Sequence, residues 1–187
     1  MSAAEVRRLT VSDGRWVRHL VVMGVAGAGK STVARGIGAA TGLRFAEADD
    51  FHSSLNVARM RSGVPLADEH RWPWLRALAG WMTACHGDGV STVLACSALK
   101  RSYRDVLRQG LSDVEFLHLA GPTALIRPRM DVRADHYMPV SLLDSQAAIL
   151  EPLGADEPGL VLDVALTPDE LVAAAIAGLG LVRSRII

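Results

Sequence analysis

An α/β domain built on a central five-stranded parallel sheet, with helices on both faces, is predicted by three features of this 187-residue chain. Five short apolar runs recur along it, segments with helical apolar spacing separate them, and a Gly-rich turn joins the first run to the first helix. Parallel strands require long crossovers, which the helical segments supply.

Residues 1–17 form a mixed polar and charged lead-in without clear period, and 18–187 read as one domain. His19-Leu-Val-Val-Met23 is a short apolar run, predicting a buried first strand. The Gly-rich turn follows, then a helix from about Lys30 to Ala40. Leu43 to Glu47 is a second strand, closed by Asp49 and Asp50, and a helix near Asn56 to Arg61 is broken by Gly63-Val-Pro65. Trp74, Leu75, Leu78, Trp81, Met82 and Cys85 have the spacing of one helical face, predicting a helix over Trp72 to His86. Ser91 to Cys96 is the third strand, Arg101 to Gln109 a helix, and Val114 to Ala120 the fourth strand. Pro122 opens a helix to about Val132, as proline does in a first turn. Arg133 to Pro139 is polar and suits a loop, Ser141 to Leu150 is helical, Leu160 to Val164 is the fifth strand, and a helix from Pro168 to about Leu179 closes the pattern. In such sheets ligands bind beyond the carboxyl ends of the strands. The segments of interest are therefore Gly24 to Ser31, Glu47 to His52, Ser97 to Lys100, and those after Ala120 and Val164.

Lys plus Arg and Asp plus Glu are balanced at 20 each, which argues against nucleic acid or an anionic membrane as the main partner. No apolar run approaches the ~18 residues of a membrane span. Cys85 and Cys96 form no metal-ligand spacing and fit free thiols in a reducing compartment, so a cytoplasmic protein is expected. Among the 20 basic residues only Lys30 and Lys100 are lysines. A chain that otherwise uses arginine keeps lysine where a compact point charge is wanted.

Gly24, Val25, Ala26, Gly27, Ala28, Gly29, Lys30 and Ser31 match G-x-x-x-x-G-K-[ST] between a strand and a helix, with Thr32 next in the helix. Glycines let successive backbone N–H groups wrap a phosphate, and the helix N-terminus adds partial positive charge. Lys30 would reach the β- and γ-phosphates, and the Ser31 hydroxyl would ligate Mg²⁺, so a nucleoside triphosphate with Mg²⁺ is the expected donor. Glu47 and Asp49 lie two apart in an extended segment and can point to one side. One would orient a metal-bound water, the other accept a proton from an attacking hydroxyl.

Glu47-Ala-Asp-Asp-Phe-His52, Asn56 and Met60 to Leu66 resemble the substrate loop of gluconokinases. Asp68 to Arg71, Pro73-Trp74-Leu75, Cys96 to Lys100 with Tyr103-Arg104-Asp105, Arg129, Arg133, His136-Tyr137 and Ser141 to Gln146 with Leu150-Glu-Pro152 continue the match. The resemblance covers about residues 18 to 180. It implies a three-layer P-loop kinase fold with a mobile lid at about 127–140, transferring the ATP γ-phosphate to the C6 hydroxyl of D-gluconate. It further implies that Asp49 is the base, that Glu47 acts on Mg²⁺ through water although the family usually has Asp there, and that Asp49, His52 and the lid residue His136 bind the substrate. Arg129 and Arg133, four apart, would be catalytic phosphate clamps upon lid closure, which excludes water. Ser53 and His70 depart from the family pattern. Lys100 and Arg104, one helical turn apart, would together hold the gluconate carboxylate. A homodimer is implied by resemblance alone. Other readings are a kinase of another small hydroxy acid such as shikimate, or a nucleotide-dependent regulatory module; against the module, the chain lacks N-K-x-D, and its third strand ends in Cys96-Ser97 rather than an acid.

Overall fold

The computed structural model describes residues 17–131 and 141–181. The expected lead-in over 1–16 lies outside them, as do residues 132–140 of the expected lid with Arg133 and His136. The described chain runs β1 (His19–Met23), α1 (Lys30–Thr41), β2 (Arg44–Glu47), a 3₁₀ turn (Ala48–Phe51), α2 (Ser54–Arg61), α3 (Asp68–Gly87), β3 (Thr92–Ala95), α4 (Arg101–Arg108), β4 (Val114–Ala120), α5 (Thr123–Asp131), α6 (Ser141–Ile149), β5 (Gly159–Asp163) and α7 (Pro168–Gly178).

All five strands are parallel, in the order β2-β3-β1-β4-β5. Every residue of β1 and β3 is buried, as expected of central strands covered on both faces, whereas β5 alternates at an edge. The crossover from β1 to β2 runs one way along the sheet and those from β2 to β3 and β3 to β4 run the other. Right-handed connections therefore put α1 on one face and α3 with α4 on the opposite one. α1 packs on β1, β2 and β3 and against α7, while α3 packs against α4. The core joins β1, β3 and β4 to Val33 and Ile37 of α1, and to Leu75, Leu78 and Met82 of α3.

The register decides what meets at the carboxyl edge. Val22 and Glu47 both pair with Ala95, and Met23 with His118. The residues that follow, Gly24, Asp49 and Ser97 to Lys100, therefore emerge along one line.

Two boundaries differ from the sequence expectation for physical reasons. α3 begins at Asp68, not Trp72. Acidic Asp68 and Glu69 suit a first helical turn, and Pro73, one turn in, removes a single N–H without stopping the helix. After β2 the chain tightens into the 3₁₀ turn, so Glu47 and Asp49 do not share an extended segment. Their alignment by strand alternation is corrected. Ser53, a departure from the resembled pattern, caps α2 by accepting from the Asn56 N–H.

Candidate active site

The phosphate loop is shaped by backbone conformation. Gly24, Gly27 and Gly29 all have positive φ, and Gly29 caps α1. At Gly27 a second restriction applies: a Cβ would lie 2.6 Å from Met130 Cγ and 2.9 Å from Ile126 Cγ2, so α5 rests directly on the loop. The Lys30 ammonium donates to the Val25 carbonyl at 2.9 Å, and the Ala26 N–H donates to Gln146 Oε1 of α6 at 2.7 Å. Beside the loop, between the exit of β4 and α5 with α6, lies a cavity of about 360 Å³ lined by Val25, His118, Ala120, Pro122, Ile126 and Leu150.

Across from Lys30, Ser31 hydrogen-bonds the half-buried Glu47 carboxyl, which burial pushes above the usual carboxylate range against that bond and the neighbouring cations. Among the described residues no group of three or more His, Cys, Asp or Glu could hold a metal. A Ser31 hydroxyl beside one carboxylate is instead the sparse oxygen set that suits Mg²⁺, an ion that keeps waters and phosphate oxygens in its shell. Cys96, the thiol at the end of β3, is fully buried with its pKa pushed up to about 12 by that burial, which leaves it inert.

The acceptor side is assembled from α3 outward. Trp74 donates its indole N–H to the Ala48 carbonyl at 2.7 Å, fixing the 3₁₀ turn that carries Asp49. The His52 ring stacks on Trp74 at 4.3 Å, and its Nε2 stands 3.9 Å from Asp49 Oδ1. The His52 side chain is only 3% exposed, its Nδ1 has no partner, and burial holds it below its ordinary pKa despite Asp49.

Ala98 adopts a left-handed φ of 42° directly after β3, a conformation costly for a residue with a Cβ. The turn it makes presents Lys100 towards α3. Lys100 Nζ lies 2.9 and 3.1 Å from the two Asp68 oxygens. Tyr103 donates its hydroxyl to the same carboxylate, and Arg71 Nη1 reaches both Asp68 Oδ1 at 3.3 Å and the Tyr103 oxygen at 2.8 Å. The Lys100 hydrogen bond, then that of Tyr103, holds Asp68 below the usual carboxylate range.

Arg104 corrects the sequence expectation. Lys100 is the N-cap residue of α4 with extended backbone, so the two side chains do not share a helical face. Arg104 points inward and is 0% exposed. It pairs with the Glu157 oxygens at 2.6 and 2.8 Å and donates to the Ala98, Leu99, Glu151 and Pro152 carbonyls. Burial pushes Glu157 up, but the Arg104 bonds, the Gly154 N–H and the charges of Arg104 and Arg101 together keep the carboxyl below its usual range. With its donors committed, Arg104 has no access to a ligand; it clips the chain after β3 to the chain after α6. Arg71, not Arg104, stands beside Lys100. Arg71 and Tyr103 carry the pattern of the resembled family, but their convergence on Asp68 is tertiary. Trp74 reads in sequence only as a core position.

Arg129 Nη2 donates to the Val164 carbonyl at 2.8 Å, at the exit of β5, and Arg127 pairs with Asp144 of α6 at 2.6 Å. No helix among the described residues is long and apolar enough to cross a membrane.

Comparison with known proteins agrees with this arrangement. No family model matches the chain. Over 152 residues it is 45% identical to a gluconokinase of Gluconobacter oxydans, spanning 81% of this chain and 85% of that one. The structure of a sugar kinase from Janibacter superposes with a TM-score of 0.86 at 56% identity, covering 89% of this chain and 96% of that one. A gluconokinase from Sinorhizobium meliloti superposes with a TM-score of 0.80 at 40% identity, covering 89% and 93%. Sequence relatives and solved structures thus converge with the phosphate loop and its acidic partners, and the chain belongs to the gluconokinase family.

Proposed function

We propose that this chain transfers the γ-phosphoryl group of ATP to the C6 hydroxyl of D-gluconate, giving 6-phospho-D-gluconate and ADP. The observation that carries the reading is the juxtaposition of Lys30 and Ser31 with Glu47 and Asp49 at one strand edge. Donor and proton acceptor then face each other across a single crevice.

The backbone of Gly24 to Thr32 holds the triphosphate, with Lys30 leaving the Val25 carbonyl to lie between the β- and γ-phosphates. Ser31 and Glu47 would hold Mg²⁺ between them. The metal, when bound, neutralises charge building on the phosphate oxygens. Asp49 accepts the C6 proton as the oxygen attacks, and His52, clamped on Trp74, holds that carboxylate in place. Lys100 takes the gluconate carboxylate with Arg71 as its partner, replacing the Lys100–Arg104 pairing. Arg129, which donates to the Val164 carbonyl, turns onto the phosphates when ATP binds. A coupled ADP-release assay across D-gluconate, shikimate and related sugar acids tests this. Gluconate at millimolar concentration is expected to stimulate release most strongly, and absence of stimulation would overturn the assignment.

A further inference from the structure

The cluster of Asp68, Arg71, Lys100 and Tyr103 holds more than the substrate assignment uses. An ammonium, a guanidinium and a phenol converge on one carboxylate, and that carboxylate belongs to the protein. The donors are the kinds that recognise an acid: Lys100 supplies a point charge, Arg71 a directional N–H, and Tyr103 an O–H that also accepts from Arg71. Lys100 and Arg71 both approach the Tyr103 ring, at 5.4 and 5.5 Å from its centroid, and Trp72 packs edge-on against it at 5.4 Å. The donors are therefore held by aromatic surfaces independent of Asp68.

Exposure orders the cluster. The Asp68 side chain is 41% exposed, Lys100 27% and Arg71 15%, so the carboxylate is the outermost member and the donors lie beneath it. An ion pair so open to water contributes little and exchanges readily. The cluster lies at the first turn of α3, one turn before the Trp74 that seats His52 beside Asp49.

We propose that Asp68 is a resident occupant of the acceptor carboxylate subsite formed by Lys100, Arg71 and Tyr103, and that it lowers affinity for acidic acceptors, which must displace it, and not for neutral ones. The proposal rests on the gluconokinase reading. A sugar acid exchanges one carboxylate for another, and Asp68 turns out to solvent. A neutral polyol has no carboxylate to exchange, so it leaves Asp68 in place and is not opposed by it. Asp68 thus lowers affinity for acids and leaves affinity for neutral acceptors unchanged, so it tempers the preference of the cationic subsite for acids. The fraction of molecules with the subsite vacated scales the apparent affinity for gluconate.

The test compares the wild-type chain with Asp68→Asn, whose amide still accepts from Lys100 and Tyr103 but carries no charge. Gluconate binding without nucleotide is followed by calorimetry and by tryptophan fluorescence, for which Trp72 against Tyr103 is a local reporter. Asp68→Asn is expected to lower the gluconate Kd and KM at least threefold with kcat within twofold. It should lower the inhibition constant of glycolate, a short acid competing at the subsite, by a similar factor. The inhibition constant of neutral glucitol should stay within the wild-type range. Unchanged or weaker gluconate binding, or an equal gain for glucitol, overturns the proposal. Asp68→Ser repeats the comparison should the amide variant melt differently from wild type. Failure of wild type to phosphorylate gluconate would instead sink the functional reading, and the glycolate and glucitol arms still judge the role of Asp68.

Discussion

The phosphate loop occupies eight consecutive residues and is shaped by backbone conformation, whereas the acceptor side draws side chains from Glu47–His52, Asp68–Trp74 and Ser97–Tyr103. The two halves also differ in how their polar groups are satisfied. In the donor half Lys30 and the Ala26 N–H already have protein partners. Four buried side-chain polar atoms among the described residues lack partners, and three of them, His52 Nδ1, Arg59 Nη1 and His70 Nδ1, belong to the stretch from the 3₁₀ turn into α3. Buried polar atoms without partners are costly and mark places where a ligand or water completes the structure. Most of these atoms lie on the acceptor half, while the fourth, His118 Nε2, lines the cavity beside the phosphate loop.

That contrast can be broken most sharply at Asp49. Asp49→Asn should reduce kcat by about 10²–10⁴-fold, the usual contribution of a general base. ATP binding, followed with a fluorescent analogue, should stay within a factor of two of wild type. Near-normal turnover would place the base elsewhere.

Arg104 sharpens the comparison differently, since it borders the acceptor side without belonging to it. Arg104→Ala leaves Glu157 as a buried unpaired charge and should cost about 3–5 kcal/mol in urea unfolding. A stable variant with a raised gluconate KM would return Arg104 to the substrate site.

The smallest effect is expected at the far end of the sheet. His19 is fully buried at the start of β1, with Nδ1 2.8 Å from Thr92 Oγ1 and Nε2 3.2 Å from His86 Nδ1. Burial, then His86, lowers its pKa to about 4, against a smaller opposing influence of Asp113. Below the ordinary pKa of 6.5 the unfolded chain takes up a proton that the folded chain refuses. Stability is therefore full above about pH 6.5 and falls as pH drops towards 4, by up to about 3 kcal/mol. Urea midpoints at pH 7 and pH 5 should separate for wild type and separate less for His19→Asn, the remainder coming from His52 and His118, which burial also lowers. An equal separation in both would exclude His19 as the source.

The same contrast explains what was legible in the sequence. Strands β1 and β4 were readable to the residue, because each is a mainly apolar run of strand length ended by glycine. The phosphate loop was readable because its function depends on local conformation, which the glycines declare. Arg104 was misread because spacing along α4 says which side chains are neighbours on a helix, not whether a helix has begun. Lys100 is still extended, and Glu157, which claims Arg104, lies 53 residues further on. Trp74 was assigned to the core from its spacing, and its burial agrees. Its indole N–H on Ala48 and its face on His52 depend on the 3₁₀ turn, which no periodicity announces.

Gly27 carries one more lesson. Its left-handed φ excludes most residues on conformational grounds, and Met130 with Ile126 excludes a methyl on grounds of space. The two restrictions have different owners, one the phosphate and the other the apolar face of a helix three strands later in the chain. Relieving either leaves the other in force, so no single change elsewhere opens position 27 to variation. A motif ordinarily credited to its nucleotide is here also under the guardianship of α5.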